Sequence, residues 1–111
     1  MRKNILGVGI VGAGLIGNRR ASIMQATGKG RVVVVADTDS ARAAEFAQKY
    51  GCEIAKNWRE LVKRSDIEVV IIAVPNKFIK PIALHAFKNG KHVFSEKPLG
   101  RNAAEAETIV K

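Results

Sequence analysis

Cysteine is nearly absent from this sequence of 111 residues, in which Cys52 is the only one. A single thiol cannot form a disulfide within the chain, and it cannot build a cysteine-rich zinc site. The scarcity agrees with a reducing cytoplasm, where we expect the protein to reside. Because Cys52 follows Gly51 at the head of a short apolar segment, we expect it to be a small buried hydrophobe.

Aromatic residues are also scarce, at 5% of the chain, and no basic run is interleaved with them. Lysine and arginine outnumber aspartate and glutamate by 19 to 10, which gives a formal net charge of +9. This excess favours anionic partners but does not choose among nucleotides, nucleic acids and acidic surfaces. Because the basic residues are scattered from Arg2 to Lys111, we do not expect nucleic-acid binding.

Long hydrophobic runs are absent as well, so we expect no membrane-spanning segment. The basic N-terminus and the apolar residues 5–11 resemble the start of a signal peptide. A signal peptide would continue into a cleavage site of small residues, whereas this run continues into Gly12, Gly14 and Gly17 and then two arginines. We interpret the run as a buried strand and expect no membrane partner.

Short apolar runs alternate with helix-like segments along the chain. The predicted strands are residues 5–11, 31–36, 52–55, 69–74 and 92–95, and the predicted helices are residues 15–26, 40–50, 58–64, 79–89 and one that begins at 102. Asp39 or Ser40 and Asn57 are predicted to cap helices, and Pro81 is predicted to lie in the first turn of its helix. Strands that are apolar throughout are buried on both faces. The sequence therefore predicts an α/β fold, a doubly wound parallel sheet of order 3-2-1-4-5 in three α/β/α layers.

The glycine motif Gly-Ala-Gly-Leu-Ile-Gly lies at the predicted junction between the first strand and the first helix. In this position Gly12 permits a tight turn, Gly14 lets a pyrophosphate approach the backbone, and Gly17 lets the helix pack closely on the sheet. The N–H groups that open the helix, including those of Leu15 and Ile16, would face the phosphates. The motif predicts a Rossmann dinucleotide site, although a glycine-containing turn without a ligand is the alternative.

An aspartate, Asp37, ends the second predicted strand twenty residues after Gly17. A carboxylate at this position accepts hydrogen bonds from the adenosine ribose hydroxyls and repels a 2′-phosphate. It favours NAD as cofactor, while NADP stays possible because Arg42 is near enough in sequence to weaken the preference. The alternative is an ordinary turn aspartate before the next helix.

Three further motifs follow in order: Pro75-Asn76, Gly-Lys-His-Val at residues 90–93 and Glu-Lys-Pro at residues 96–98. With the glycine motif and Ala36-Asp37, they resemble the N-terminal domain of the Gfo/Idh/MocA oxidoreductases over essentially the whole chain. The resemblance implies that Glu96 and Lys97 lie beside the nicotinamide and that Pro75 and Asn76 border its ribose. It also implies that Lys97 is catalytic, contacting the reacting hydroxyl and assisting proton transfer.

The sequence departs from the family pattern at two positions. Family members often carry histidine where this chain has Arg20, and another where it has Ile79. The second change removes a polar group that the resemblance places near the substrate. His85 and His92 have no partner at metal-site spacing, so no metal is predicted.

The resemblance also implies a C-terminal substrate domain with a further catalytic histidine, for which 111 residues leave no room. One hypothesis is therefore the NAD(P)-binding domain of an oxidoreductase for a sugar- or polyol-like hydroxyl or carbonyl substrate, inactive by itself. The second is a stand-alone module that binds or senses a dinucleotide, and a third is a methyltransferase-like fold with another adenosine ligand. If the second domain is missing, a face near Lys97 and Leu99 is expected to be exposed and to allow self-association.

Overall fold

The computed structural model describes residues 5–95, apart from the side chain of Asn76. Five strands alternate with four helices along this part of the chain. The strands are β1 (Leu6–Val11), β2 (Gly30–Ala36), β3 (Glu53–Ile54), β4 (Val69–Ile72) and β5 (His92–Ser95). The helices are α1 (Leu15–Thr27), α2 (Ser40–Tyr50), α3 (Trp58–Val62) and α4 (Asn76–Lys88).

The strands form one parallel sheet in the order β3-β2-β1-β4-β5, which confirms the predicted topology. The chain starts at the middle of the sheet, moves outward through β2 and β3, and then crosses back to β4 and β5. The order reverses between β1 and β4, so a crevice forms beyond their carboxyl ends.

Two apolar cores cover the two faces of the sheet. In β1, Val8 and Ile10 belong to one core and Val11 to the other, as alternating side chains of a strand should. In β2, however, Val32 and Val34 belong to opposite cores although they are two residues apart. The register explains this exception: Val8 pairs with Val32 and Gly9 with Val34, so Val33 is an extra residue, a β-bulge that inverts the alternation.

The helix ends agree with the caps predicted from the sequence. Asp39 begins α2, and its carboxylate accepts hydrogen bonds from the N–H groups of Ala41 and Arg42. Asn57 begins α3, and its side chain accepts from the N–H of Glu60. α2 ends at Gly51, whose φ of 68° lies in the left-handed region that glycine adopts without strain.

The start of α4 corrects the sequence-based prediction. The helix begins at Asn76 rather than at residue 79, because Pro75 has the extended ψ of 151° suited to a helix start and its carbonyl accepts from the N–H of Phe78. Pro81 therefore lies inside the helix and not in its first turn. It has no N–H to donate to the carbonyl of Lys77; both residues are exposed, so water can replace that bond.

Three other elements, one helix and two strands, are shorter in the structure than the sequence predicts. α3 ends at Val62, β4 ends at Ile72, and β3 has only two residues. Cys52 is half-buried and packs against the core formed with α1 and α2, and burial raises the pKa of its thiol. It lies in the turn between α2 and β3 rather than in the strand itself.

Candidate functional site

The candidate residues within the described part of the chain come together at the carboxyl edge of the sheet because all five strands are parallel. The glycine motif follows β1, Asp37 follows β2, and Pro75 precedes α4 just beyond β4. Parallel strands end at the same edge, so these segments are neighbours although up to 63 positions separate them in sequence (from Gly12 to Pro75).

The three glycines of the motif have three different surroundings. Gly12 has a φ of 105°, and a Cβ there would collide with the carbonyl oxygen of Ala73. A Cβ on Gly17 would collide with the carbonyl oxygen of Gly12. A Cβ on Gly14, by contrast, would have one neighbour within 4 Å among residues 5–95 beyond the adjacent residues of the loop, namely Nη1 of Arg42 at 3.9 Å. The first and third glycines thus allow close backbone packing, and the second leaves an open face.

The N–H groups of the loop divide into those with a partner and those without. Gly12 donates to the carbonyl of Ala36 at 2.8 Å, and Ala13 donates to Oδ2 of Asp37 at 2.7 Å. Within residues 5–95, the structure records no acceptor for the N–H groups of Gly14, Leu15 and Ile16.

The start of α1 is suited to an anion. Its first turn carries no acidic side chain, and Gly14, the residue before it, forms no side-chain cap. Unpaired N–H groups and the positive end of the helix dipole together attract negative charge. We call the open face at Gly14, together with the N–H groups of Gly14, Leu15 and Ile16, the phosphate cradle. A Cβ on Gly14 would narrow it, and the negative charge of a pyrophosphate complements its N–H groups.

The carboxylate of Asp37 lies beside this cradle, with only 3% of its side chain exposed. Besides the N–H of Ala13, it accepts from the N–H of Asp39 at 2.7 Å and from Nη2 of Arg42 at 3.2 Å. Burial by itself would raise the pKa of Asp37, but these donors outweigh it and hold the pKa below the usual 3.8. Asp37 is therefore ionised at neutral pH and ready to accept hydroxyl donors.

Arg42 stands between Asp37 and Gly14. Its guanidinium forms an ion pair with Asp37 and reaches the open face of Gly14, while half of its side chain (53%) stays exposed. A second carboxylate, that of Asp39, is 3.9 Å from Nε. Arg42 thus places a positive charge where the adenosine ribose and its 2′ substituent would lie.

Two residues that the sequence reasoning missed also support this edge. Nδ2 of Asn18 donates to the carbonyls of Ala13, at 3.0 Å, and Gly14, at 2.9 Å. The hydroxyl of Tyr50 donates to the carbonyl of Asn18 at 2.9 Å and so joins α2 to α1. The one available signal was the position of Asn18, a short amide four residues after Gly14 and directly after the last glycine of the motif.

Lys91, the lysine of the Gly-Lys-His-Val motif, has a structural role that sequence reasoning also missed. Nζ of Lys91 donates to the carbonyls of Arg64 and Ile67, the latter at 2.8 Å. These contacts fasten the segment that enters β5 to the turn before β4, at the opposite edge of the sheet from the glycine motif.

The remaining predicted site residues have varied positions. Leu15 is 76% exposed, and Ile16 is half-buried in the first turn of α1. Pro75 is exposed at the start of α4. Glu96 and Lys97 lie outside the described residues.

The same holds for the helix predicted from residue 102 and for the face near Leu99, which also lie outside the described residues. Of the two departures from the family pattern, Ile79 is buried in the core, 3% exposed, and Arg20 lies over the ring of Phe94, 4.8 Å from its centre.

Residues 5–95 contain neither a membrane-spanning helix nor a metal-binding cluster. No helix in this range is long and apolar enough to cross a membrane. No group of three or more histidine, cysteine, aspartate or glutamate side chains is arranged there to hold a metal ion.

Comparison with known proteins gives consistent matches over more than nine-tenths of the chain. The model of the Gfo/Idh/MocA family, described as an oxidoreductase family with an NAD-binding Rossmann fold, matches residues 6–111. An inositol 2-dehydrogenase of Rubrobacter xylanophilus is 36% identical over 95% of the chain and 30% of its own length. A trans-1,2-dihydrobenzene-1,2-diol dehydrogenase of Mus musculus is 41% identical over 92% of the chain and 32% of its own length.

A solved structure agrees with these sequences. Biliverdin reductase from Synechocystis, in complex with biliverdin and NADP+, superposes with a TM-score of 0.86 and 32% identity. The match covers 94% of the chain and 33% of that protein. The chain therefore spans about a third of the length of the relatives it matches.

Proposed function

The chain belongs to the Gfo/Idh/MocA oxidoreductase family and is an NAD(P)-binding Rossmann domain, and we propose that it serves as the cofactor-binding part of an NAD(P)-dependent oxidoreductase. The reaction would be hydride transfer between the nicotinamide and a hydroxyl or carbonyl carbon of a sugar- or polyol-like substrate. The observation that carries the proposal is the pair of N–H groups at Gly14 and Leu15, for which residues 5–95 provide no acceptor, next to the ionised carboxylate of Asp37.

The residues of the described edge would each hold one part of the dinucleotide. The N–H groups of Gly14 and Leu15 would bind the pyrophosphate, and Asp37 would accept the adenosine ribose hydroxyls. Pro75 and Asn76, across the crevice between β1 and β4, would border the nicotinamide ribose. When bound, the nicotinamide supplies the hydride acceptor or donor.

Lys97 and Glu96 are proposed to complete the catalytic end of this site. They follow β5 directly, and β5 pairs with β4 at the carboxyl edge where the nicotinamide would lie. A lysine ammonium there can donate to the reacting oxygen and stabilise the developing alkoxide. Both curated relatives named above are dehydrogenases of hydroxyl-bearing rings, which supports the proposed substrate class.

The role of Lys97 can be tested in the protein joined to a substrate domain. We expect Lys97→Ala to lower turnover by roughly two to four orders of magnitude, because a positioned proton-transfer group contributes about that much. The affinity for NAD should stay within about twofold of the wild type, since the role proposed for the amine is at the nicotinamide and not at the adenosine half. Unchanged turnover would reject the catalytic role. Lys91→Ala, at the opposite end of the strands, is the control for nonspecific damage: we expect it to lower the melting temperature and to leave turnover unchanged.

We further propose that NAD is preferred to NADP, by a modest margin. Asp37 accepts hydroxyl donors well and repels a 2′-phosphate, which favours NAD. Arg42 opposes this preference, because its guanidinium already lies against Asp37 and could pair with a 2′-phosphate. The solved relative that binds NADP+ agrees with a fold that accommodates either cofactor.

Isothermal titration of the chain with NAD and NADP tests this preference. We expect NAD to bind more tightly, and Asp37→Ala to reduce the ratio of the two affinities by about tenfold, as expected for the loss of charge-assisted hydrogen bonds. Asp39→Asn is the matched control, because it removes a neighbouring carboxylate while an asparagine still caps α2. Tighter binding of NADP by the wild type would contradict the assignment.

We also propose a cytoplasmic location and a small-molecule partner. A single half-buried thiol suits the reducing cytoplasm. The small-molecule substrate would bind only with a second domain, and we expect the chain alone to show no dehydrogenase turnover, because misplaced reacting groups lose orders of magnitude in rate.

A further inference from the structure

Asn18 holds the peptide groups that form the proposed phosphate cradle. It is the fourth residue of α1, and side chains of a helix lean back toward its N-terminus. Nδ2 of Asn18 thereby reaches two carbonyls of the preceding loop, those of Ala13 at 3.0 Å and Gly14 at 2.9 Å. Both bonds are made by one amide nitrogen, which has two hydrogens to donate.

The direction of these carbonyls determines the direction of the N–H groups. In a planar trans peptide the C=O and the N–H point in opposite directions, and the described chain contains no cis peptide. Since the carbonyl of Ala13 points to Asn18, the N–H of Gly14 points away from it. The same relation holds between the carbonyl of Gly14 and the N–H of Leu15.

The two peptide groups differ in how many bonds restrain them. The carbonyl of Gly14 also accepts the backbone N–H of Asn18, as part of the helix. The carbonyl of Ala13 has only the Asn18 amide as a donor within residues 5–95. Without that amide, the peptide between Ala13 and Gly14 could rotate, because glycine accepts many values of φ. A rotated peptide would turn a carbonyl oxygen, not an N–H, toward the phosphates.

We infer that Asn18 is a positioning residue for the pyrophosphate: it keeps the N–H of Gly14 directed at the phosphate and excludes the carbonyl of Ala13 from that place. The inference rests on the proposed function, since it concerns the same cradle. It assigns a phosphate-specific role to a side chain that does not itself contact the ligand.

The test compares a ligand that has the pyrophosphate with one that lacks it. Titrations of the 111-residue chain with ADP-ribose and with adenosine should separate phosphate binding from nucleoside binding. Asn18→Leu keeps the shape of the side chain and removes the donor. We expect it to weaken ADP-ribose binding about tenfold and adenosine binding less than about twofold. Asn18→Gln, which retains the amide, should recover most of the ADP-ribose affinity.

Tyr50→Phe is the matched control at the same corner of the fold. It removes the hydroxyl that bonds to the backbone of Asn18 but leaves the loop carbonyls untouched. We expect a lower melting temperature and unchanged affinity for both ligands. If Asn18→Leu behaved in the same way, with lower stability but full ADP-ribose affinity, Asn18 would have only a structural role and the inference would be wrong.

A measurement on the unmodified chain gives an independent answer should the Leu variant fail to fold. In amide NMR spectra, ADP-ribose should shift the Gly14 N–H downfield, and adenosine should leave it nearly unchanged. An unshifted Gly14 amide in a chain that binds ADP-ribose overturns the inference, and with it the assignment of the Gly14 N–H to the pyrophosphate, but leaves cofactor binding by the chain intact. A chain that binds neither ligand overturns both.

Discussion

Two helices, α1 and α2, begin at the same edge of the sheet but differ in whether their first N–H groups have hydrogen-bond acceptors. α2 begins at Asp39, whose carboxylate accepts two of those groups. α1 begins at Leu15, after Gly14, which offers no side chain, and no acceptor for its first N–H groups lies within residues 5–95. The comparison separates two uses of a helix start: α2 satisfies its own donors and gains stability, whereas α1 keeps its donors available for an anion.

A second contrast lies within the glycine motif itself. Gly12 and Gly17 are packed against backbone, and Gly14 faces open space. The packed glycines bring α1 close to the sheet, so they should affect stability. The open glycine should affect ligand binding. Variants at these positions therefore test the comparison directly. They differ in the change expected in the free energy of unfolding, which is largest at Gly17.

The largest effect is expected from Gly17→Ala. The new methyl group would overlap the carbonyl oxygen of Gly12 and approach Ile10, so α1 would have to move away from β1. We expect the free energy of unfolding to fall by about 2–3 kcal/mol, because overpacking against backbone outweighs the better helix propensity of alanine. Urea unfolding followed by circular dichroism measures the change.

The control for this variant is on the exposed side of the same helix. Ser22→Ala replaces an exposed side chain of α1 and should change the unfolding free energy by less than about 0.5 kcal/mol. If Gly17→Ala were as stable as Ser22→Ala, the close approach of helix and sheet would not depend on glycine, and the contrast within the motif would be wrong.

A smaller effect, of opposite sign, is expected from Gly14→Ser. The backbone of Gly14 is extended, with a φ of −83° and a ψ of −158°, and space exists for a side chain. Serine is a better N-cap than glycine by a few tenths of a kcal/mol, so the variant should be slightly more stable. Its hydroxyl would occupy the cradle, and ADP-ribose should bind about tenfold more weakly. Calorimetric melting and titration measure the two changes.

Asn57→Ala provides the reverse case for the same pair of measurements. It removes the cap of α3, which has no part in the proposed site, and should lower the unfolding free energy by about 1 kcal/mol. The affinity for ADP-ribose should not change. If Gly14→Ser instead lowered stability and retained affinity, the start of α1 would be an ordinary helix end.

The sequence was sufficient for the parts of the fold that depend on short-range chemistry. Apolar runs of four to seven residues separated by helix formers predicted the five strands and their order. Asp39 and Asn57 were predicted as caps because a cap bonds to groups two or three residues away. The start of α4 was misplaced because Pro81 is tolerated inside the helix on its exposed side, so the pattern around it did not mark the boundary.

Other features could not be predicted because they join distant segments. The bulge at Val33 appears only in the pairing of β1 with β2. Lys91 contacts carbonyls that are 24 and 27 residues away in sequence, and all three residues lie at the edge of the sheet opposite the glycine motif. The hydrogen bonds from Asn18 are local, but their effect on the cradle depends on the orientation of the Gly12–Gly14 turn. The packing of α1 against β1 determines that orientation.

By itself, then, the order of residues determined which segments become strands, where glycine is required and which carboxylate follows β2. The tertiary structure decided what those residues do to one another. Asp37 accepts the N–H of Ala13 although 24 residues separate them, because parallel pairing of β1 with β2 brings their carboxyl ends side by side. The same pairing places Arg42, which forms an ion pair with Asp37, next to Gly14. A hydrogen bond or an ion pair depends on distance in space, and only the folded sheet makes these distances short.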